Sequence, residues 1–322
     1  MNRTILELAV AAGGFLFCAS VYPQYPQKPI RIIPNSAAAT GPDIIARLFA
    51  AKVADSLGQP VVVENRPGSN GNIAGDIVAK STPDGHTLFL GTDAQIAINP
   101  HVYSKMSWNP VKDVVPVASI CKQAFELVVR PTVPAKTVAE FIAHAKSVNS
   151  PLFYGSAGNG SQHHLAMELF KQRTGINLSH IPYAGGGAAT ATALLAGDIS
   201  ATIGGSAVSV QVKAGKLRSL ATTSATRLTE SPDLPTIAET LPGYEILTWV
   251  GLFAPTGTPT DALNRLRSET SRFLTQKDVI EKLNAAGGFQ IWNIGIDEFS
   301  TQIRRDYERY GQIVKTVGVR VD

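Results

Sequence analysis

Apolar positions along this chain recur in two rhythms. Short runs such as IRIIP (Ile30–Pro34), PVVVEN (60–65) and HTLFLG (86–91) are dense in β-branched and aromatic residues and read as strands. After the first run, Ile45, Leu48, Phe49, Val53 and Leu57 repeat at three- and four-residue spacing, the inward stripe of a helix. GSNGNIAGDIVAK (68–80) reads as a turn and a second helix with Ile73, Ile77 and Val78 inward, and Pro83-Asp84-Gly85 as another turn. FELVVR (125–130) is a strand and TVAEFIAHAKS (137–147) a helix. Three strand–loop–helix units then follow, beginning at Leu152, Ser179 and Ile199. LRSLATTS (217–224) is a further strand and LTWVGLFAPTGTP (247–259) is extended, with Trp249 and Phe253 placed to pack a core or line a cleft. Two helices, 261–274 and Ile296–Val317, close the chain.

Strands and helices alternating in this way predict an α/β fold with helical crossovers. The number of units predicts two lobes. Chain crossings are expected near 121–125 and 244–251. Residues 21–123 then start the first lobe, 124–247 form the second, and 248–322 return to the first with the C-terminal helices. Two short, ordered crossings suit a cleft that closes between lobes.

The first twenty residues follow neither rhythm. Arg3 is followed by an apolar run over 8–17 and by small Ala19 and Ser20. This is the pattern of a secretory signal peptide, residues 1–20, cut after Ser20, and it is too short for a membrane span. Glu7 sits awkwardly at its edge; Cys18 as a lipid-anchor cysteine is the alternative, opposed by bulky Phe17 before it. Export through it predicts a periplasmic protein.

The remaining 44% hydrophobic content over 322 residues is enough for more than one core. Formal net charge is +4, from 29 basic and 25 acidic residues without a Lys/Arg cluster, so no nucleic-acid partner is expected. Once Cys18 is removed, Cys121 is alone, cannot form an internal disulfide, and reads as a buried, inert thiol. No other 18-residue apolar stretch exists, so the mature chain is expected to be soluble. We expect a monomer with no metal and no cofactor.

Four strand-to-helix turns are built from small residues: 35–41, 156–161, 184–187 and 204–206. Ligands of open α/β sheets sit beyond the C-terminal ends of the strands. Each following helix begins with unpaired N–H groups and a partial positive charge, which binds anions without Lys or Arg. Small side chains let a ligand reach the backbone. Tight turns alone would also account for any one of these loops. Ser36, Thr40, Ser156, Ser161 and Ser206 add neutral hydroxyl donors. Thr40 followed by Asp43, with Pro42 in the first turn, resembles a capping box; Asp43 as a general base is the other reading. The GSNGN turn near Ser69 reads as structural.

Catalytic groups are scarce. No G-x-S-x-G elbow, P-loop or H-E-x-x-H is present, and Gly185-Gly186-Gly187 lacks the dinucleotide spacing. His163 and His164 are adjacent on a helix, point different ways, and read as capping or packing residues. No nucleophile–base pair is visible near the four loops, which argues against an enzyme such as a secreted hydrolase.

The segments YPQKPIRII, GQPVVVENRPGSNGNIAG, PDGHTLFLGT, GNGSQHHLAMELF, IPYAGGGAA, AGKLRSLATTS and GLFAPTGTP occur in this order from about Tyr25 to the end. In this the chain resembles the periplasmic substrate-binding proteins of tripartite tricarboxylate transporters, the Bug family. The resemblance implies a two-lobed periplasmic-binding-protein fold, type II-like, with a small carboxylate held in the cleft by backbone amides, hydroxyls and water. It implies delivery to membrane permease subunits. The same chemistry would serve a ligand presenter to a sensor kinase. Candidate ligand-binding residues are Asn35, Ser36, Ala39, Thr40, Gly41, Asp43, Thr92, Ser156, Asn159, Ser161, Tyr183, Gly185, Gly204 and Ser206.

Two departures bear on the ligand. Ser36 stands where the family's first loop usually carries an aromatic residue, and Ala38, Ala39 and Thr40 replace its Pro-Gly-Gly run. Gly204 occupies a position that is often acidic in the family. A cleft widened on both walls favours an aromatic dicarboxylate such as terephthalate; C4–C6 aliphatic dicarboxylates or citrate are the alternative.

Overall fold

The computed structural model describes residues 25–38, 40–150, 152–183 and 186–321. The expected signal peptide and Cys18 lie outside the described residues, as do Ala39 and Gly185.

Two sheets organise the chain. The first contains β1 (Ile30–Pro34), β2 (Val61–Val63), β3 (Thr87–Thr92), β4 (Val114–Ala124), β10 (Leu247–Pro255) and β11 (Gln290–Ile291), in the order β11-β4-β10-β3-β1-β2. β1 runs parallel to β2 and β3, whereas β10 is antiparallel to both β3 and β4. The second contains β5 (Glu126–Val129), β6 (Leu152–Ser156), β7 (Leu178–Pro182), β8 (Ala201–Gly204) and β9 (Arg218–Thr222), in the order β7-β6-β8-β5-β9. The chain leaves the first sheet between β4 and β5 and returns into β10, so two neighbouring strands carry both passages.

Helix α1 (Gly41–Leu57) buries Ile45, Phe49, Val53 and Leu57 against β1 and β3, with Leu48 at the margin. Gly58 at φ 67° ends it in the left-handed conformation that glycine adopts without strain. In α2 (Asn72–Ala79) the inward face differs from expectation. Ala74, Gly75 and Val78 are buried, Ile77 is only partly so, and Ile73 is exposed. The cause is Trp108: its ring packs so closely on Gly75 that a Cβ there would lie 2.1 Å from it.

Three features carried too little pattern to be read from sequence: β4 itself, α9 (Lys277–Ala285) and one π-helical turn, Ala94–Ile98. The last turn leads into α3 (Asn99–Val102). Ala97, Ile98 and Val102 pack into the core of the second sheet, and so do Tyr310 and Val314 of α10 (Ile296–Val317). The start of α10 instead packs in the first lobe, where Phe299 meets Trp249 and Phe253 at ring-centroid distances of 5.2 and 5.9 Å. Trp249 and Phe253 are therefore core residues rather than cleft lining. α10 spans both lobes; 22 residues reach about 33 Å. Cys121 is buried, which pushes its thiol pKa well up and leaves it unreactive.

Candidate functional site

The first small-residue loop joins β1 to α1 and is held mostly by its own polar groups. Ser36 Oγ lies 2.6 Å from Thr40 Oγ1, Thr40 Oγ1 donates to the Ala37 carbonyl at 2.7 Å, and Asn65 Nδ2 donates to the Ser36 carbonyl at 3.0 Å. The capping box does not form: the Thr40 side chain makes no cap hydrogen bond, because its hydroxyl is turned back to Ala37. Asp43 is buried and pairs with Arg47 one turn on, at 3.0 Å. It is not the partner in such a box. Gly41 needs its missing Cβ, since one would lie 2.6 Å from the Phe289 ring.

Asn35 and Thr92 meet through a residue the sequence did not single out. Gln95 Oε1 accepts from Asn35 Nδ2 at 2.7 Å, from the Thr92 N–H at 2.9 Å and from Thr92 Oγ1 at 3.0 Å. Gln95 Nε2 donates to the Asn70 carbonyl at 2.7 Å. Asn35 Oδ1 is buried without a protein partner. The GSNGN turn thus closes onto the floor of the first loop, and Asn70 Nδ2 reaches the Gly160 carbonyl of the second lobe at 3.4 Å. Asn70 and Ser69 both hold positive φ, 50° and 47°, to do so.

The second loop, after β6, enters α5 (Gln162–Thr174). Ser161 caps that helix by accepting the His164 N–H, and its hydroxyl donates to the Gly158 carbonyl at 2.7 Å. Ser156 is fully buried, and its hydroxyl lies 2.7 Å from His180 Nε2 and 3.0 Å from the Gly158 carbonyl. Asn159 is exposed. The third loop is tied to the second: the Tyr183 N–H donates to the Ser156 carbonyl at 3.0 Å, ahead of α6 (Gly186–Ala196), and Tyr183 is half-buried. In the fourth, Gly204 ends β8 in the core and Ser206 opens α7 (Ser206–Lys213).

The structure therefore separates the predicted hydroxyls by role. Ser36, Thr40, Ser156 and Ser161 spend their side chains shaping loops. The starts of α1 and α5 that follow these loops need no Lys or Arg to attract an anion. Among the described residues no cluster of three metal-ligating side chains exists.

Lobe-to-lobe contacts draw the loops together. Gln162, first residue of α5, donates to Asp93 Oδ1 at 2.8 Å and to Thr248 Oγ1 at 2.9 Å. On the far side, Gln123 donates to the Gly287 carbonyl, and Gly287 packs on Ser206. The segment around Gly287, between α9 and β11, is thus a fifth wall that four-loop reasoning missed. The signal for Gln162 was present in GNGSQHHLAMELF; for Gly287 it was only a Gly-Gly pair.

A model of the tripartite tricarboxylate transporter family receptor matches residues 45–319. The chain belongs to this receptor family. Protein BugT of Bordetella pertussis is 33% identical over 328 residues, covering 100% of both chains. An R. palustris protein solved with adipate superposes with a TM-score of 0.86 at 33% identity, over 92% of this chain and 99% of that one. MatC from Rhodopseudomonas palustris, solved with bound malate, gives 0.81 at 28% identity, over 90% and 100%. The two-sheet architecture is the two-lobed fold of periplasmic solute-binding proteins, and the receptor is a binding protein rather than an enzyme.

That conclusion bears on Ser156 and His180. A serine–histidine pair does exist beside the second loop, contrary to the sequence reading. Its geometry is structural: Ser156 has no exposed surface, and burial pushes the His180 pKa down to about 4, too weak a base to draw a proton from serine.

Proposed function

We propose that this receptor captures a small dicarboxylate in the cleft between its lobes in the periplasm and delivers it to membrane permease subunits. The observation that carries the reading is the meeting of the two lobes beside the loops that start α1 and α5, through Asn70–Gly160 and Gln162–Asp93, with the hydroxyls of those loops already engaged. Backbone N–H groups remain as the anion-binding surface. Contacts at Gln162–Asp93 and at Gly287–Ser206 join the two lobes around it.

For the ligand itself, the first choice is an aromatic dicarboxylate such as terephthalate. Ser36 leaves the first loop without aromatic bulk or charge; Gly204, by contrast, is buried against Val208 and Thr202 and widens no wall. Adipate, carried by the R. palustris relative, separates its two carboxylates by the same number of carbons as terephthalate does across its ring. C4–C6 aliphatic diacids, malate among them, and citrate are the runners-up. Calorimetry with terephthalate, phthalate, benzoate, adipate, succinate and citrate tests this. Tight terephthalate binding is the expected result. Binding of an aliphatic acid with no response to any aromatic one overturns the aromatic choice, and silence from all six overturns the dicarboxylate reading.

A further inference from the structure

The second loop is wired to two imidazoles that the binding reading does not use. His164 and His180 stack with ring centroids 3.8 Å apart and planes 11° from parallel. His164 Nδ1 accepts the Gly160 N–H at 3.1 Å. A backbone N–H can only donate, so Nδ1 must carry a lone pair and the ring must be neutral with its proton on Nε2. His180 Nε2 holds Ser156, whose hydroxyl in turn holds Gly158. Two ends of one loop, Ser156 and Gly160, are thus fixed by a stacked imidazole pair.

We propose that His164 is a positioning residue for ligand capture: its neutral imidazole sets the second loop through Gly160, and stacking on His180 makes capture depend on both rings staying uncharged. This rests on the dicarboxylate reading of the cleft. The loop concerned also carries the lobe contact, because the Gly160 carbonyl faces Asn70 and the next helix starts at Gln162. A proton on His164 removes the acceptor for Gly160 and sets a charge against His180 at van der Waals distance. Burial holds both rings to about 4, well below the ordinary imidazole value. The other groups acting on the pair are Glu168, which favours the charged rings, and Lys171, which opposes them. They are paired with each other at 2.6 Å, and Glu168 also accepts from Tyr154, whose ring centroid lies 4.9 Å from that of His180 and 6.4 Å from that of His164. His163 faces away, onto Phe125.

His164→Asn separates positioning from packing, since the Asn Oδ1 can accept the Gly160 N–H but does not titrate. The Gly160 amide resonance, followed by NMR in the ligand-free protein, is expected to move as pH falls through about 4 in the parent and to stay in place in H164N. Adipate affinity by calorimetry is referred, in each protein, to that protein's own value at neutral pH. Toward pH 4 the parent is expected to lose about tenfold more affinity than H164N. Taking the ratio at each pH cancels the titration of adipate itself. A Gly160 amide that ignores pH in the parent, or that titrates equally in H164N, overturns the proposal. If adipate binds neither protein at neutral pH, the dicarboxylate reading has failed for that acid, and the Gly160 titration alone decides the role of His164.

Discussion

Gln162 Nε2 stands 2.8 Å from Asp93 Oδ1, joining the first residue of α5 in the second lobe to the end of β3 in the first. Asp93 has no exposed surface and no cation beside its oxygens in this network. It is held by donors alone: Gln162, Thr248 Oγ1 at 2.6 Å and Tyr310 Oη at 3.0 Å. Tyr310 also reaches the Leu247 carbonyl at 3.1 Å. Asp93→Asn should fit this site, with its amide nitrogen facing Tyr310 and the tyrosine proton moving to Leu247. Thermal unfolding of D93N at pH 7 should match or exceed the parent. Asp93→Ala takes the acceptor from the Thr248 hydroxyl, leaves Gln162 and Tyr310 only their second acceptors, Thr248 Oγ1 and the Leu247 carbonyl, and should cost about 3 kcal/mol. A D93N protein as unstable as D93A would show that the charge itself is required.

The same carboxylate gives a pH window. Burial, reinforced by the nearby Asp306 charge and offset by the Thr248 and Gln162 hydrogen bonds, raises the Asp93 pKa to about 6. A raised carboxylate adds stability below its unfolded value and loses it as pH rises through 6, so acidification relieves this site. His163, His164 and His180 act in the opposite direction. Burial lowers each to about 4, so their contribution is complete above the ordinary imidazole value and is lost as pH falls toward 4. Denaturation profiles of the parent and D93N should differ mainly between pH 6 and the ordinary aspartate range. Superimposable profiles there would remove Asp93 from the account.

Ser156 tests the absence of hydrolytic chemistry directly. Its hydroxyl is enclosed and shared between His180 and Gly158, so no substrate carbonyl can reach it. Activated esters should show no turnover above background with the parent. Ser156→Ala should instead weaken dicarboxylate binding by loosening the loop. Steady turnover abolished by S156A would make the pair catalytic.

The strands and helices were legible because their apolar residues keep strict period. IRIIP and the final helix Ile296–Val317 appear in the fold with the bounds read from sequence. β4 was not, since VVPVASICKQA alternates weakly and carries a proline within it. The site was legible at the level of loops and illegible at the level of side chains. Ser36 and Thr40 looked like ligand donors, yet each finds a nearer partner within its own turn. Gln95 and Gln162 were not singled out, because nothing local marks a glutamine whose partners lie in other elements.

Gly287 makes the last test. It lies between α9 and β11 in the first lobe, and Ser206 opens α7 in the second. A Cβ on Gly287 would stand 2.4 Å from both the Cβ and the Oγ of Ser206, so the serine side chain sits this close to the Gly287 backbone only because residue 287 is glycine. Gln123, on β4, donates to the Gly287 carbonyl and holds that contact from the side. Gly287→Val should therefore hold the lobes apart: dicarboxylate affinity should fall by about tenfold or more, and small-angle scattering, expected to show the parent compacting on ligand, should show no compaction in the variant. Gly287 also has φ 151°, so valine brings backbone strain of its own. Ser206→Gly in the same chain removes both offending atoms and leaves that strain in place. Recovery of affinity in G287V/S206G would assign the loss to the lobe contact. No recovery, with a melting temperature lowered equally in single and double variants, would assign it to strain and exclude Gly287–Ser206 as a closing contact.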